Sequence, residues 1–171
     1  AYSGNGTDPA AHTHRGPTPR NAVMFGPAGS LYVYFSYGMH WCANVVCGPV
    51  GTGEAVLLRA GQIVEGIEVA RNRRPAARRD LDLARGPARL TQALGITGAD
   101  NGETLLDPES TLFLATAPQA VSPDMVRSGP RVGISKAADL PWRFWFDEEP
   151  TVSRRRAVPQ AASSKYCGNA G

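Results

Sequence analysis

The run from Leu31 to Val45, LYVYFSYGMHWCANV, constrains the fold more than any other part of the chain. Two apolar, strand-like stretches, residues 31–37 and 41–47, flank a Tyr-Gly-Met-His turn, which is the pattern of a β-hairpin. The stretch is crowded with rings: Tyr32, Tyr34, Phe35, Tyr37, His40 and Trp41. A hairpin that serves only as core needs apolar side chains on one face. It needs neither tyrosines on both faces nor a Tyr and a Met at its tip. Flat rings with polar edges suit a site that stacks on another flat ring, and so point toward a nucleobase.

Length and composition set the bounds. A chain of 171 residues is long enough for one domain with a sizeable core. It has no run of about 18 apolar residues, so no membrane span is expected. Its polar opening residues predict no secretory signal. The cysteines, Cys42, Cys47 and Cys167, lack the spacing of a metal site. Free thiols in a reducing compartment are the simplest reading, and no metal or other cofactor is expected. Net charge is +3 and the isoelectric point about 9.0. All but two of the 18 basic residues, Lys136 and Lys165, are Arg. That bias fits either a GC-rich genome or phosphate binding, since Arg grips phosphate oxygens bidentately. Arg71, Arg73, Arg74, Arg78 and Arg79 crowd one short stretch. Its ordinary reading is a solvated helix end and loop; its sharper one is a phosphate-binding patch.

No internal repeat or second domain is visible. Residues 1–30 read as loop, with one short helical turn near Ala10. A third, buried strand is expected at residues 55–60. One helix is predicted at 63–73, stopping before Pro75, and another at 87–94, with Pro87 in its first turn and Gly95 at its end. Further strands are expected at 111–115, 131–135 and 143–147.

Single residues leave their alternatives open. Arg59 ends an apolar strand, so it either snorkels to the surface or lines a pocket. Asn44 sits among apolar neighbours and must be hydrogen-bonded, as a structural residue or as a reader of ligand edges. His12 and His14 in a loop are ordinarily solvated. Tyr32 and Tyr34 alternate as on a half-exposed sheet face.

The residues taken in order carry more. Tyr2, Ala10-Ala11-His12, Thr18-Pro19-Arg20-Asn21, Met24-Phe25, Gly29, Leu31-Tyr32-Val33-Tyr34, Tyr37-Gly38-Met39, Asn44, Val56-Leu57-Leu58-Arg59-Ala60, Gly86-Pro87 and Arg131-Val132-Gly133 resemble the 3-methyladenine DNA glycosylases of the alkyladenine type. The resemblance spans roughly residues 1–153. It implies a single α+β domain around a curved, mostly antiparallel, open-barrel-like sheet, with flanking helices and a hairpin that protrudes into the DNA minor groove. The implied partner is double-stranded DNA containing damaged purines, bound by a monomer in the bacterial cytoplasm and not at a membrane.

The resemblance also implies roles. The target carbon is hidden within the duplex, so the nucleotide must be swung out. Tyr37 matches the family's intercalating wedge, with Met39 beside it. Tyr2 and Tyr34 match the rings on the two faces of the extruded base, and His12 the ring packed against its edge. A cationic base such as 3-methyladenine is favoured by π faces. Ala10 matches an edge reader through its carbonyl, and Asn44 the position that crowds the 2-amino group of guanine. Arg20 and His40 are assigned to the DNA backbone. Arg59 and the carbonyl of Val132 match the groups that, with a Glu, hold the attacking water.

That general-base Glu would precede Ala1, where the sequence starts. Residues 1–156 are therefore expected to be a glycosylase domain lacking its N-terminal segment, and 157–171 a disordered tail. The chain as written is expected to be inactive, with Tyr2 fraying at a loose end. Neither Asp8 nor Glu54 is an obvious substitute, and no lysine nucleophile is implied. The alternative is a non-catalytic nucleic-acid-binding module on the same scaffold. The role given to Asn44 yields a first test. Asn44→Ser should raise the acceptance of guanine-derived bases relative to hypoxanthine in a duplex competition assay. An unchanged ratio would reduce Asn44 to a structural hydrogen-bonding residue.

Overall fold

The period-two alternation of the hairpin sorts its side chains onto two faces, and the rest of the chain is laid against them. The computed structural model describes residues 1–4, 6–117 and 121–152. Strands β1 (Leu31–Ser36) and β2 (His40–Cys47) pair antiparallel, with Leu31 opposite Val45, Val33 opposite Ala43 and Phe35 opposite Trp41. Leu31, Val33 and Ala43 are buried in the main core with Ile96 and Leu105. On the other face the opposed pairs are Tyr32 with Asn44 and Tyr34 with Cys42. The tyrosines thus do not occupy both faces, as the sequence suggested. Tyr32 and Tyr34 share one, and Tyr37 belongs to neither because it forms the turn.

Strand β3 (Glu54–Leu57) extends the sheet along β2, giving the order β1-β2-β3. It is shorter than the expected residues 55–60. After Leu57 only the Leu58 amide still bonds to β2, at the Ala43 carbonyl (3.0 Å). Tyr2 adds itself to the outer edge: its amide donates to Ala55 (2.9 Å) and its carbonyl accepts from the Ala55 amide (3.2 Å). Two backbone bonds thus seat Tyr2 on the sheet edge.

Helix α1 (Ile67–Arg73) starts later than predicted because Gly66 takes a left-handed backbone (φ 65°). Helix α2 (Pro87–Leu94) has the predicted bounds, with Pro87 in its first turn and Gly95 at its end. It buries Leu90 and Ala93 against Ala70 of α1 and against Leu83 and Ala84. Its Thr91 hydroxyl reaches the Trp41 carbonyl of β2 (2.8 Å). The turn expected near Ala10 is present, with the Ala11 amide donating to the Asp8 carbonyl (3.0 Å).

Strands β4 (Val126–Gly129) and β5 (Arg143–Phe146) form a separate antiparallel ribbon. Only β5 falls where a strand was expected. Residues 111–115 are apolar enough for a strand but run as irregular chain. Residues 131–135 curl into a loop, with Gly133 at φ 79° and the Arg131 amide bonded to the Ala138 carbonyl (2.9 Å). Among the described residues the class is α+β with antiparallel sheets and a projecting hairpin. The tail expected at 157–171 lies outside the described residues. No helix among the described residues is long and apolar enough to cross a membrane.

Among the described residues one ion pair is buried on both sides. Arg131 Nη1 and Nη2 grip Asp8 Oδ2 and Oδ1 at 2.6 and 2.8 Å, and their side chains are 4% and 0% exposed. Burial works against the Asp8 charge. The Arg131 guanidinium and the amides of Ala10 and Ser3 outweigh it and hold the carboxyl below the usual carboxylate range. Removing one partner strands the other charge, so Arg131→Met should destabilise by about 3–5 kcal/mol in urea unfolding. A carboxyl held low in the folded state binds its proton more readily when unfolded. Its stabilisation is therefore complete above the ordinary Asp value near 4 and is lost as pH falls through the lower folded value. Asp8→Asn should remove this part of the acid limb; an unchanged acid limb would count against it.

Candidate active site

The tyrosine face of the hairpin floors a cavity of about 450 Å³. Tyr34, Cys42 and Asn44 come from β1 and β2, and Tyr2, Leu57 and Arg59 from the sheet edge. Ala10 and His12 come from the first loop, and Val132 from the curled loop. Every residue assigned to base binding or catalysis from the sequence lines this one space. Arg20 and Tyr37 stand at its margin with them. Met39 and His40 lie outside, in the turn and at the start of β2.

Rings dominate the geometry. Tyr32 and Tyr34 are stacked at 5.6 Å with 24° between planes. His12 meets Tyr34 edge-on at 4.5 Å and 78°, and its Nδ1 pairs with the Tyr32 hydroxyl at 3.1 Å. Crowding by these rings, and then the Arg20 charge, lower the His12 pKa from the ordinary imidazole value. Neutral imidazole is therefore the form held at neutral pH. Burial, with the neighbouring Cys42 thiol, pushes the Tyr34 phenol up, so it stays protonated. Asn44 is buried, and its Nδ2 donates to the Tyr32 carbonyl (3.2 Å). Arg59 reaches the Val132 carbonyl at 3.5 Å, a long contact that brings both groups to the same wall. One face of the Tyr2 ring lies 5.1 Å from the Arg131 guanidinium carbon.

Several contributors were missed in the sequence. Tyr32 holds His12 in place; its strict alternation with Tyr34 was the available signal. Asn21 is buried, donating to the carbonyls of His12 (2.8 Å) and Gly16 (3.1 Å) and accepting from the Thr18 amide (2.6 Å). It is the hydrogen-bonding centre of the Thr18-Pro19-Arg20-Asn21 motif. Arg20 in turn donates to the Phe35 carbonyl near the hairpin tip (3.3 Å).

A larger cavity of about 570 Å³ lies beyond the wall formed by Tyr2, Leu57, Arg59 and Val132, which line both. Its other walls include Leu58, Leu90, Phe144 and Phe146. Trp142 and Trp145 line it as well, but it has neither the stacked Tyr32–Tyr34 pair with His12 nor the buried Asn44 amide, so the smaller cavity is the better fit to a planar base.

The tip is unlike the rest of the hairpin. Tyr37 takes a left-handed backbone (φ 51°), followed by Gly38 (φ 65°). Side chains rarely adopt that conformation. Tyr37 is 86% exposed and Met39 66%. A large ring is thus held in strained backbone, pointing into solvent.

Comparison with known proteins resolves what such an arrangement belongs to. The sequence profile of the methylpurine-DNA glycosylases matches residues 1–150. The chain belongs to the methylpurine-DNA glycosylase family. A protein of Nocardia farcinica, provisionally named a 3-methyladenine DNA glycosylase, is 54% identical over 165 residues, covering 94% of this chain and 77% of the relative. Similarly named proteins of Streptomyces avermitilis and Burkholderia lata are 53% and 56% identical, over 92% and 84% of this chain and 74% and 69% of their own lengths. The family is one of DNA-acting enzymes.

For a glycosylase the position of positive charge matters, and so do the partners of the arginine cluster. Arg71 pairs with Glu68 (2.7 Å) and Asp80 (2.8 Å), and Arg79 with Asp82 (2.9 Å). Arg73 and Arg74 donate to the carbonyls of Ala93 and Leu83. Four of the five arginines are thus engaged within the protein, Arg73 and Arg74 bridging to α2, and Arg78 is exposed. The strained tip yields a test. Tyr37→Gly relieves the left-handed backbone and should raise folding stability by up to about 1 kcal/mol. The same change should weaken binding of duplexes with a damaged purine. Lower stability would show that the tip is not strained, and unaltered binding that it is not a wedge.

Proposed function

We propose that this chain takes alkylated or deaminated purines, 3-methyladenine foremost, out of double-stranded DNA by base flipping and hydrolysis of the N-glycosidic bond. The observation that carries the reading is that wedge and slot share one element. The hairpin presents Tyr37 at its tip and floors the ring-lined cavity with Tyr34 and Asn44. Insertion of Tyr37 fills the stack at the place from which the nucleotide leaves, a step that otherwise costs a few kcal/mol.

The flipped base then lies between Tyr2 and Tyr34, with His12 against its edge and the Ala10 carbonyl as an acceptor. A neutral His12 suits a cationic base, which an imidazolium would repel. The Tyr ring faces attract that cation. Asn44, fixed by its bond to the Tyr32 carbonyl, stands against a 2-amino group. Arg59 and the Val132 carbonyl mark where the attacking water is held. Arg20 and His40 meet the phosphate backbone beside the tip. The provisional names of the relatives support 3-methyladenine as substrate.

Water attack needs a base, and no carboxylate is among the described residues that line the cavity. Asp8 is occupied by Arg131. By the family resemblance the base is a Glu directly preceding Ala1. The test compares the 171-residue polypeptide with the same polypeptide preceded by the family's N-terminal segment ending in Glu or in Gln. Excision is read as abasic sites in duplexes containing 3-methyladenine or hypoxanthine. The Glu form should excise about 10²–10⁴-fold faster than the others. The Gln form should bind the lesion without excising it. Its affinity should fall with salt at a slope of about −0.9 per phosphate contacted. Robust hypoxanthine turnover by the 171 residues alone would overturn the assignment of the base. Equal affinity of all three for damaged and undamaged duplex would overturn the function and leave a general nucleic-acid-binding module.

A further inference from the structure

We propose that Asp8 and Arg131 are the positioning pair of the base cavity, with one guanidinium setting the places of Tyr2, Ala10 and Val132 together. The inference rests on the base-flipping reading and names residues that neither touch the base nor line its slot. Arg131 spends its donors on three separate stretches of chain. Nη1 donates to Asp8 Oδ2 (2.6 Å) and to the Ala1 carbonyl (3.2 Å). Nη2 donates to Asp8 Oδ1 (2.8 Å) and to the Ala137 carbonyl (2.9 Å). The guanidinium also faces the rings of Tyr2 at 5.1 Å and Trp142 at 5.4 Å.

Each contact fixes a part of the site. The bond to Ala1 and the ring contact set the orientation of Tyr2. The bond to Ala137, with the Arg131 amide on Ala138, closes the loop whose next residue is Val132. On the other side, Asp8 Oδ1 accepts from the Ala10 amide (3.0 Å) and so sets the strand of loop that carries Ala10 and His12. Asp8 and Arg131 are 123 residues apart, and no backbone ladder joins these stretches to one another.

Energetics separate this role from plain packing. A buried ion pair adds little net stability over an apolar pair of similar volume. Here it is also incompletely satisfied, since Arg131 Nε is buried without a partner. An apolar pair would hold the fold as well. It could not direct a ring, an amide and a carbonyl-bearing loop along fixed lines, as a planar fork does.

The experiment replaces the pair as a unit. Asp8→Leu/Arg131→Met in the full chain removes both charges and keeps the volume, and Arg131→Lys keeps the charge but not the fork. Binding is measured for a duplex containing hypoxanthine and for the same duplex undamaged, at a temperature where unfolding curves show each variant folded. The double variant should lose about 5- to 150-fold in its preference for the lesion, the scale of one lost base–aromatic stack. Affinity for undamaged duplex, and its salt slope, should stay within about twofold, because phosphate contacts are made elsewhere. Arg131→Lys should lose preference too, and it decides the question should the double variant not fold. Full lesion preference in either folded variant would overturn the proposal and leave the pair a packing element. Absence of preference in the unaltered chain would overturn the base-flipping reading itself, and the pair's role with it.

Discussion

The register between β1 and β2 is the constraint on which the rest depends. With Tyr32 opposite Asn44 and Leu31 opposite Val45, apolar side chains fall to the core and polar-edged rings to the cavity. A slip of one residue would exchange the two sets, burying two phenols against Ile96 and Leu105 and presenting aliphatic side chains to the ligand. The register is pinned from several sides. The Ser30 carbonyl accepts from the Val46 amide just before β1, and the Asn101 side chain accepts from the Val33 amide (2.9 Å). At the far end the three-residue turn Tyr37–Met39, with Tyr37 and Gly38 left-handed and the Met39 amide on the Ser36 carbonyl (3.0 Å), sets Ser36 opposite His40. Site and core are thus two sides of a single pairing decision.

Against that sheet the loops are held by polar staples rather than by secondary structure. Asn21 ties together the carbonyls of His12 and Gly16. Asp8 and Arg131 tie the first loop to the curled one. Little of the slot's wall is regular structure beyond the hairpin, yet its shape is specified by hydrogen bonds whose buried members would be costly to leave unpaired.

What was legible in the sequence follows the range of the interaction. The hairpin, the bounds of α2 and the sharing of one face by Tyr32 and Tyr34 are local consequences of alternation, Pro87 and Gly95, whereas the meeting of Tyr34 and Asn44 on that face depends on the register. Tyr2, His12 and Val132 were found only through an ordered set of motifs, because nothing local to them signals a shared cavity. Asp8 and Arg131 were not paired in advance: their partners are separated by most of the chain, and a lone Asp in a loop looks solvated. The arginine stretch stayed ambiguous for a related reason, since composition counts charges but does not see which of Glu68, Asp80 and Asp82 they pair with. Residues 111–115 and 131–135 have strand-like composition, but a strand also needs a run of ladder bonds: Leu114 bonds to the Leu105 carbonyl (2.8 Å) without continuing into a ladder, and Gly133 turns the second stretch at φ 79°.

Under the proposed function the tip has to bear a load as it enters the base stack, and the hairpin is braced as a cantilever would be. Its free end extends past Trp41, and the fixed end is where Trp41 meets the body of the protein. There the Thr91 hydroxyl of α2 holds the Trp41 carbonyl. The Phe35 ring packs on the indole at 4.7 Å. Gly98 lies so close beneath it that a methyl group there would stand 2.6 Å from the ring. Thrust on the tip is therefore resisted at a clamped root, and the stiffness of the hairpin is a property of α2 and of the turn at Gly98–Asp100 as much as of the strands themselves.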